Sequence, residues 1–306
     1  MTPREREMQR VGFIGVGAMG GPIAARMVER GIPVLAYDRN SEALAEAGRR
    51  GCAVASSSRE IVDECEIVIA CLPTVDICRT VALGPDGVVD GRKVKIYVET
   101  STIGGPAAVE IAEGLAARGI MLIDAPVVGA IMALEAGTLG VLASGPRDAF
   151  ERVEPMLATF AGRLFHLGDQ AGMGQVGKVM SNAVSYACLL STCEAVAMGM
   201  KAGIDMGTTL DIINQGSGAN FFSQRVAPNY MLKGRLGGTG TMEIGAKDVK
   251  LFIEEAQRLG AGTPVADAIS AIQQTVIASG PAGRDTMTYI HYFTDLAGLP
   301  RTESKA

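Results

Sequence analysis

The sequence predicts an α/β chain of two domains. A Rossmann-type, doubly wound and mostly parallel sheet with helices on both faces occupies residues 1–173, and an all-α domain built on one long interdomain helix occupies residues 174–306. Three observations predict it. Short apolar runs alternate with stretches of helical period as far as Leu167, the order that builds a parallel sheet through crossover helices. No convincing strand pattern follows Gly174. Between the two regimes runs a stretch from 175 to 203 made of Ala, Met, Val, Cys, Ser and Leu. At 306 residues the chain also exceeds the size at which one core usually stops growing.

The first element is the apolar run Val11 to Ile14, read as a strand. Gly15, Gly17 and Gly20 follow in G-x-G-x-x-G spacing, then a helix carrying Ile23, Met27 and Val28 that stops at Arg30-Gly31, then a second apolar run ending at Asp38. One glycine makes the tight turn, the next lets a pyrophosphate approach the backbone, and the third lets helix pack on strand. The helix N-terminus favours the anion. Gly15, Gly17, Ala18, Met19 and Gly20 are therefore candidate cofactor contacts; the bland alternative is a glycine turn in a βαβ unit that binds nothing. Asp38 lies 18 residues after Gly20, at the end of the second strand, where an acid accepts hydrogen bonds from the adenosine ribose. It favours NAD, whereas the adjacent Arg39 suits the 2′-phosphate of NADP. NAD is the favoured reading and NADP stays open.

Residues 41–51 read as a polar helix and 59–65 as a short one. Ile67 to Leu72 is a continuous apolar run, as in a parallel strand buried on both faces. Leu72-Pro73 closes it and is a candidate wall for the cofactor. A helix over 75–82 and a strand over 95–98 lead to Thr100-Ser101-Thr102, hydroxyls at a strand end that also suit a helix N-cap. A helix over 106–118, a strand over 121–123, the turn 124–130, a run over 139–144, a helix over 147–161 and a run over 164–167 complete the sheet domain. The 175–203 helix would be about 43 Å long. Apolar nearly all round, it is expected to be buried as the axis of the second domain or in a subunit interface. Helices over 208–215, 221–232, 243–260, 264–279 and 285–296 follow.

Composition narrows the function. A net charge of -5 and a pI near 5.3 give no basic field for nucleic acid or an anionic membrane. Six cysteines without a C-x-x-C pair, and only two histidines, argue against a zinc centre, so no metal is expected. The first ten residues are too charged for a secretory signal and read as a frayed tail. A cytoplasmic enzyme acting on a small molecule fits. There is no G-x-S-x-G, no H-E-x-x-H and no Walker lysine, and His166 and His291 stand isolated, as structural or surface histidines. Lys178, in the first turns of the long helix, is the candidate acid/base: a lysine withdrawn from water releases its proton more readily, because burial disfavours the ammonium. An interdomain cleft is the expected place for it, and Asn182, four residues on, shares its face. Lys247 alone would pass for solvated charge.

Several stretches together resemble the β-hydroxyacid dehydrogenase family: GFIGVGAMG at 12–20, TST at 100–102, DAPVVGA at 124–130, GMGQVGKVMSN at 172–182 and AKDVKL at 246–251. The resemblance spans Val11 to about Leu296. It implies oxidation of a 3-hydroxy acid, or reduction of its semialdehyde, with NAD or NADP. It implies catalysis by Lys178, substrate positioning by Asn182, cofactor and substrate contact at Thr102, and cofactor contact by Lys247. A homodimer or homotetramer assembled through the helical domain is implied too. The family commonly reads D-A-P-V-S-G-G, so Val128, Gly129 and Ala130 are substrate-side candidates, with a hydroxyl missing at 128 and a methyl added at 130. That departure predicts a substrate unlike the commonest small hydroxy acids. An imine reductase of similar build and a dinucleotide-binding module without turnover are the alternatives. Retention of Lys178 argues against the first.

Overall fold

The central strands form where short apolar runs can be buried on both faces, as Val11–Ile14 and Ile67–Ala70 are in the computed structural model, which describes residues 9–301. In chain order the first elements are β1 (Val11–Ile14), α1 (Gly20–Glu29), β2 (Val34–Tyr37), α2 (Ser41–Arg49), β3 (Ala53–Val54), α3 (Ser58–Glu64), β4 (Ile67–Ala70), α4 (Val75–Leu83), β5 (Ile96–Glu99), α5 (Gly105–Ala116) and β6 (Met121–Asp124). They make a six-stranded sheet of order β3-β2-β1-β4-β5-β6, parallel throughout. Residues alternate between faces: Val11, Phe13, Ile67, Ile69, Ile96 and Val98 join one core, and Ile14, Val68, Ala70, Tyr97 and Leu122 the other. The chain leaves β1 toward β2 and β3, then returns to β4 on β1's other side. That reversal opens a crevice at the carboxyl ends of β1 and β4, the place where open α/β sheets take ligands.

A smaller sheet follows. It contains β7 (Val127–Val128), β8 (Gly140–Ala143) and β9 (Arg163–His166), with α6 (Ala130–Glu135) and α7 (Arg147–Leu157) between them. β7 runs antiparallel to β8, and β8 parallel to β9. Reciprocal backbone bonds between Asp124 and Ser144, 2.9 and 2.7 Å, tie β8 to β6.

The chain divides into two compact units, one ending at Lys178 and the other starting at Val179. The long helix α8 (Met173–Lys201) begins in the first and ends in the second. The second unit continues with α9 (Met206–Gln215), a π-helical turn over Phe222–Val226 running into α10 (Ala227–Asn229), then α11 (Met242–Arg258), α12 (Pro264–Ala278) and α13 (Tyr289–Leu296). Its core gathers Leu189, Leu190, Cys193 and Val196 of α8 with Val249, Ile269, Tyr289 and Phe293.

Three expectations change. The helix expected over 221–232 is present over 221–229 but passes through a π-helical turn: Pro228 brings no N–H to an α-helical ladder, and buried Ser223, bonded to Asn214 and Asn220, holds the widened turn. Within one chain the long helix is covered on only part of its circumference, with Met180, Val184 and Met198 52%, 65% and 70% exposed, so as a domain axis it is one-sided. By length and composition it alone among the described residues could cross a membrane. Strands β3 and β7, each of two residues, and helix α6 were not expected, being too short to show a period. The charged tail read at the N-terminus lies outside the described residues as far as residue 8.

Candidate active site

The glycine turn has the three properties its spacing predicts. Gly15 has a φ of +90°, and a side chain there would run into the carbonyl of Cys71, so only glycine makes the turn. Gly20 faces the Gly15 carbonyl and the Phe13 ring so closely that a methyl group has no room. At Gly17 the opposite holds: no heavy atom stands within 4 Å of where a Cβ would be. Gly17 and Ala18 are exposed and Met19 half-buried. Helix α1 starts here with no side chain capping its N-terminus and no acid in its first turn. A helix end without a side-chain cap, its positive dipole end beside open space over a glycine, is a cradle for an anion. These residues fit the pyrophosphate of a dinucleotide.

Asp38 is fixed rather than swinging. One carboxylate oxygen accepts from the Val16 N–H of the glycine turn and the other from the Asn40 N–H, both at 2.8 Å. Each oxygen keeps a lone pair for a ribose hydroxyl. Arg39 beside it is exposed.

Across the crevice, Leu72 is half-buried and Pro73 exposed at the end of β4. Leu72 donates its N–H to Ser101 Oγ at 2.7 Å. Thr100 Oγ1 donates to the Ala70 carbonyl at 2.6 Å, and Thr102 is half-buried. The hydroxyls do not cap α5, whose N-cap is Gly104 without a side-chain bond. Ser101 and Thr100 are used to tie β5 to β4 instead. Beneath them Tyr97 donates to Glu99 Oε2 at 2.9 Å, and Glu99 Oε1 accepts from the Ser101 N–H. Burial pushes both the Tyr97 and Glu99 protons toward retention.

Val128 is half-buried and lies over Gly140, where a Cβ would collide with its Cγ2. Gly129 is exposed with a φ of +117°, and Ala130 starts α6, its side chain outside the described part of the structure. Lys178 is half-buried in the second turn of α8. Its charge acts on Cys71: burial pushes that thiol up to about 11, Glu99 raises it and Lys178 lowers it. Three residues before the lysine, Gln175 bonds the Ile103 and Gly104 N–H groups and the Ser101 carbonyl, which sets the start of α8 beside the loop that follows β5.

In the second unit Asn182 donates to Asp248 Oδ2 at 2.6 Å, and Lys247 Nζ stands 3.1 Å from Asp248 Oδ1. Gly245 makes this possible, since a Cβ there would strike the Tyr186 hydroxyl and push α11 off α8. His166 behaves as the structural histidine expected, its Nε2 3.1 Å from the Gly145 carbonyl and its ring centroid 4.5 Å from that of Phe150.

Comparison with known proteins decides the family. A family model described as the NAD binding domain of 6-phosphogluconate dehydrogenase matches residues 10–168, and one described as NAD-binding of NADP-dependent 3-hydroxyisobutyrate dehydrogenase matches 172–293. A 3-hydroxyisobutyrate dehydrogenase of Pseudomonas aeruginosa is 32% identical, over 84% of this chain and 89% of its own. The chain belongs to the β-hydroxyacid dehydrogenase family. Another relative, a 2-(hydroxymethyl)glutarate dehydrogenase of Eubacterium barkeri, is 27% identical over 95% of this chain and 96% of its own. The solved structure of a Mycobacterium tuberculosis 3-hydroxyisobutyrate dehydrogenase with L-serine superposes with a TM-score of 0.80 at 27% identity, covering 93% of this chain and 99% of that one. As a β-hydroxyacid dehydrogenase the protein is an NAD(P)-dependent oxidoreductase of hydroxyacids.

Five residues of this β-hydroxyacid dehydrogenase are given no role by the sequence: Asp124, Ser144 and Gln175, all fully buried, with Glu99 and Asp248, although Asp124, Gln175 and Asp248 stand inside the stretches that carry the resemblance. The available signal is chemical. Asp124 and Glu99 each end an apolar strand, and Gln175 opens an apolar helix, places where a polar side chain must be answered by another.

Proposed function

We propose that the protein oxidises a 3-hydroxy acid, or reduces the corresponding semialdehyde, with Lys178 as general acid/base and NAD as the preferred cofactor. The observation that carries the reading is the position of Lys178 on α8, three residues after Gln175, whose amide is bonded to the 101–104 loop that carries Thr102. When bound, the nicotinamide supplies the hydride acceptor for oxidation and the donor for reduction. In oxidation Lys178 Nζ takes the substrate hydroxyl proton as the carbon–oxygen double bond forms, and in reduction its ammonium returns that proton to the oxygen. Asn182, one turn along α8, orients the substrate. Asp38 supports NAD because two backbone N–H bonds hold its carboxylate where a 2′-hydroxyl donates and a 2′-phosphate is repelled.

Val128 points to the substrate class. A hydroxyl at this position would bond a substrate carboxylate, worth about 1.5–3 kcal/mol, whereas valine presents methyl groups. The preferred substrate therefore carries a less polar or differently shaped end than the small hydroxy acids. The test is kcat/KM over a panel of hydroxy acids, alcohols and aldehydes with both cofactors, wild type beside Val128→Ser. The substitution should move the ranking toward small hydroxy acids by tenfold or more. An unchanged ranking would remove Val128 from the substrate site, and no turnover across the panel would remove the 3-hydroxy acid reading.

A further inference from the structure

The first turn of α8 is held by side chains distant in sequence. The Gly172 and Gln175 N–H groups donate to Asp124 Oδ2 at 3.2 and 3.1 Å, and the Gly174 N–H donates to Ser144 Oγ at 3.0 Å. Ser144 Oγ in turn donates to the same carboxylate oxygen at 3.1 Å. N–H groups that a helix normally leaves to a neighbouring cap are thus answered from the ends of two strands. The carboxylate also complements the positive end of the helix dipole.

The Gln175 side chain completes the arrangement. Its Oε1 accepts from the Ile103 and Gly104 N–H groups at 2.8 and 3.1 Å, and its Nε2 donates to the Ser101 carbonyl at 3.0 Å and to Asp124 Oδ1 at 2.6 Å. An amide has two donors and two acceptor lone pairs, and all four are used by a residue with no exposed surface. The amide is also locked in orientation: flipped, it would set Nε2 against two N–H donors and Oε1 against a carbonyl and a carboxylate. Gln175 therefore joins the 101–104 loop that carries Thr102, the end of β6, and the helix face on which Lys178 stands three residues later. Ser101, bonded to Leu72, extends the chain of contacts to the end of β4.

Apolar side chains of similar size commonly fill buried space as stably as a polar network, which earns its place by specifying one arrangement. We propose that Gln175 is a positioning residue for the dehydrogenase reaction, fixing the rotation and height of α8 so that Lys178 Nζ meets the substrate hydroxyl held beside Thr102. This rests on the reading of Lys178 as the acid/base. Misplacement by about 1 Å can cost on the order of 100-fold in rate, so the loss belongs in kcat rather than in cofactor binding.

The experiment is a double-mutant cycle on the holoenzyme, with Gln175→Glu, Lys178→Ala and the pair. Glutamate keeps the chain length and the acceptors for Ile103 and Gly104 but sets an oxygen against the Ser101 carbonyl and Asp124. Gln175→Met, neutral and of equal length, is the second variant if the added carboxylate unfolds the protein. The expected result is a 10- to 100-fold fall in kcat, with the NADH dissociation constant within threefold of wild type and the fall shrinking below threefold in the Lys178→Ala background. An unchanged kcat, or the same fall with and without Lys178, would overturn the proposal. Lys178→Ala retaining full turnover would instead overturn the functional reading, a result visible before Gln175 is altered.

Discussion

Two glycines of one turn, changed the same way, should fail for different reasons. At Gly17 a new methyl group meets no atom within 4 Å, and the residue is not in the left-handed region. Gly17→Ala should therefore fold normally, its stability within about 0.5 kcal/mol of wild type or raised by up to about 1 kcal/mol through a stiffer unfolded chain. The methyl fills the space over which a phosphate would approach the α1 N-terminus. Losing one charged hydrogen bond there costs about 1.5–3 kcal/mol, roughly a 10- to 150-fold rise in dissociation constant. At Gly20 the methyl runs into the Gly15 carbonyl and comes within 3.0 Å of the Phe13 ring. Gly20→Ala should cost about 1–3 kcal/mol of stability or more, because backbone cannot step aside as a side chain can. The assays are urea unfolding without cofactor and NADH fluorescence titration of the folded proteins. Gly17→Ala binding NADH as wild type does, or losing as much stability as Gly20→Ala, would refute the cradle.

Two further outcomes follow from buried or fixed carboxylates. Asp38→Ser removes the charge that excludes a 2′-phosphate, so the ratio of kcat/KM for NAD over NADP should fall at least tenfold, mostly through KM; an unmoved ratio would show that Asp38 does not read the ribose. Burial pushes the Asp124 carboxyl from 3.8 up to about 6, against the hydrogen bonds of Gln175, Ser144 and Gly172. Between those values the unfolded chain has released a proton that the folded protein keeps, so this group's contribution to stability falls as pH rises through that window and is level above it. The size is about 3 kcal/mol at most, from the difference between 3.8 and about 6. Urea unfolding at pH 4 and pH 6.5 should show wild type losing stability relative to Asp124→Asn across the interval. Parallel slopes would contradict it. Asp63, held low by Arg92 and Arg59, acts in the opposite sense in both proteins and cancels in the comparison.

The glycine turn was legible because its causes are local. Gly15, Gly17 and Gly20 sit within one turn, and each is needed for a reason set by its immediate backbone. The strands β1, β4 and β5 were legible because runs buried on both faces leave no polar interruption. Gln175 and Asp124 were not, since each is an ordinary polar residue until the fold brings together partners separated by 51 positions. Likewise nothing in the sequence near Asn182 announces Asp248, 66 positions away. Ser101 is instructive: a hydroxyl before a helix suggests a cap, but the distant Gln175 satisfies the α5 entrance and releases Ser101 to hold Leu72. Val128 was read from its place in the motif as facing substrate. Its contact with Gly140 shows that it also packs the small sheet, so part of any effect of Val128→Ser will come from that lost contact.

The central claim is that Lys178 moves the proton. Its most direct test is steady-state turnover of Lys178→Ala on the best substrate of the panel, with NADH affinity measured on the same preparation. The account predicts kcat lower by about 100- to 10,000-fold and an NADH dissociation constant within threefold of wild type. Turnover within tenfold of wild type, with cofactor binding intact, would contradict it.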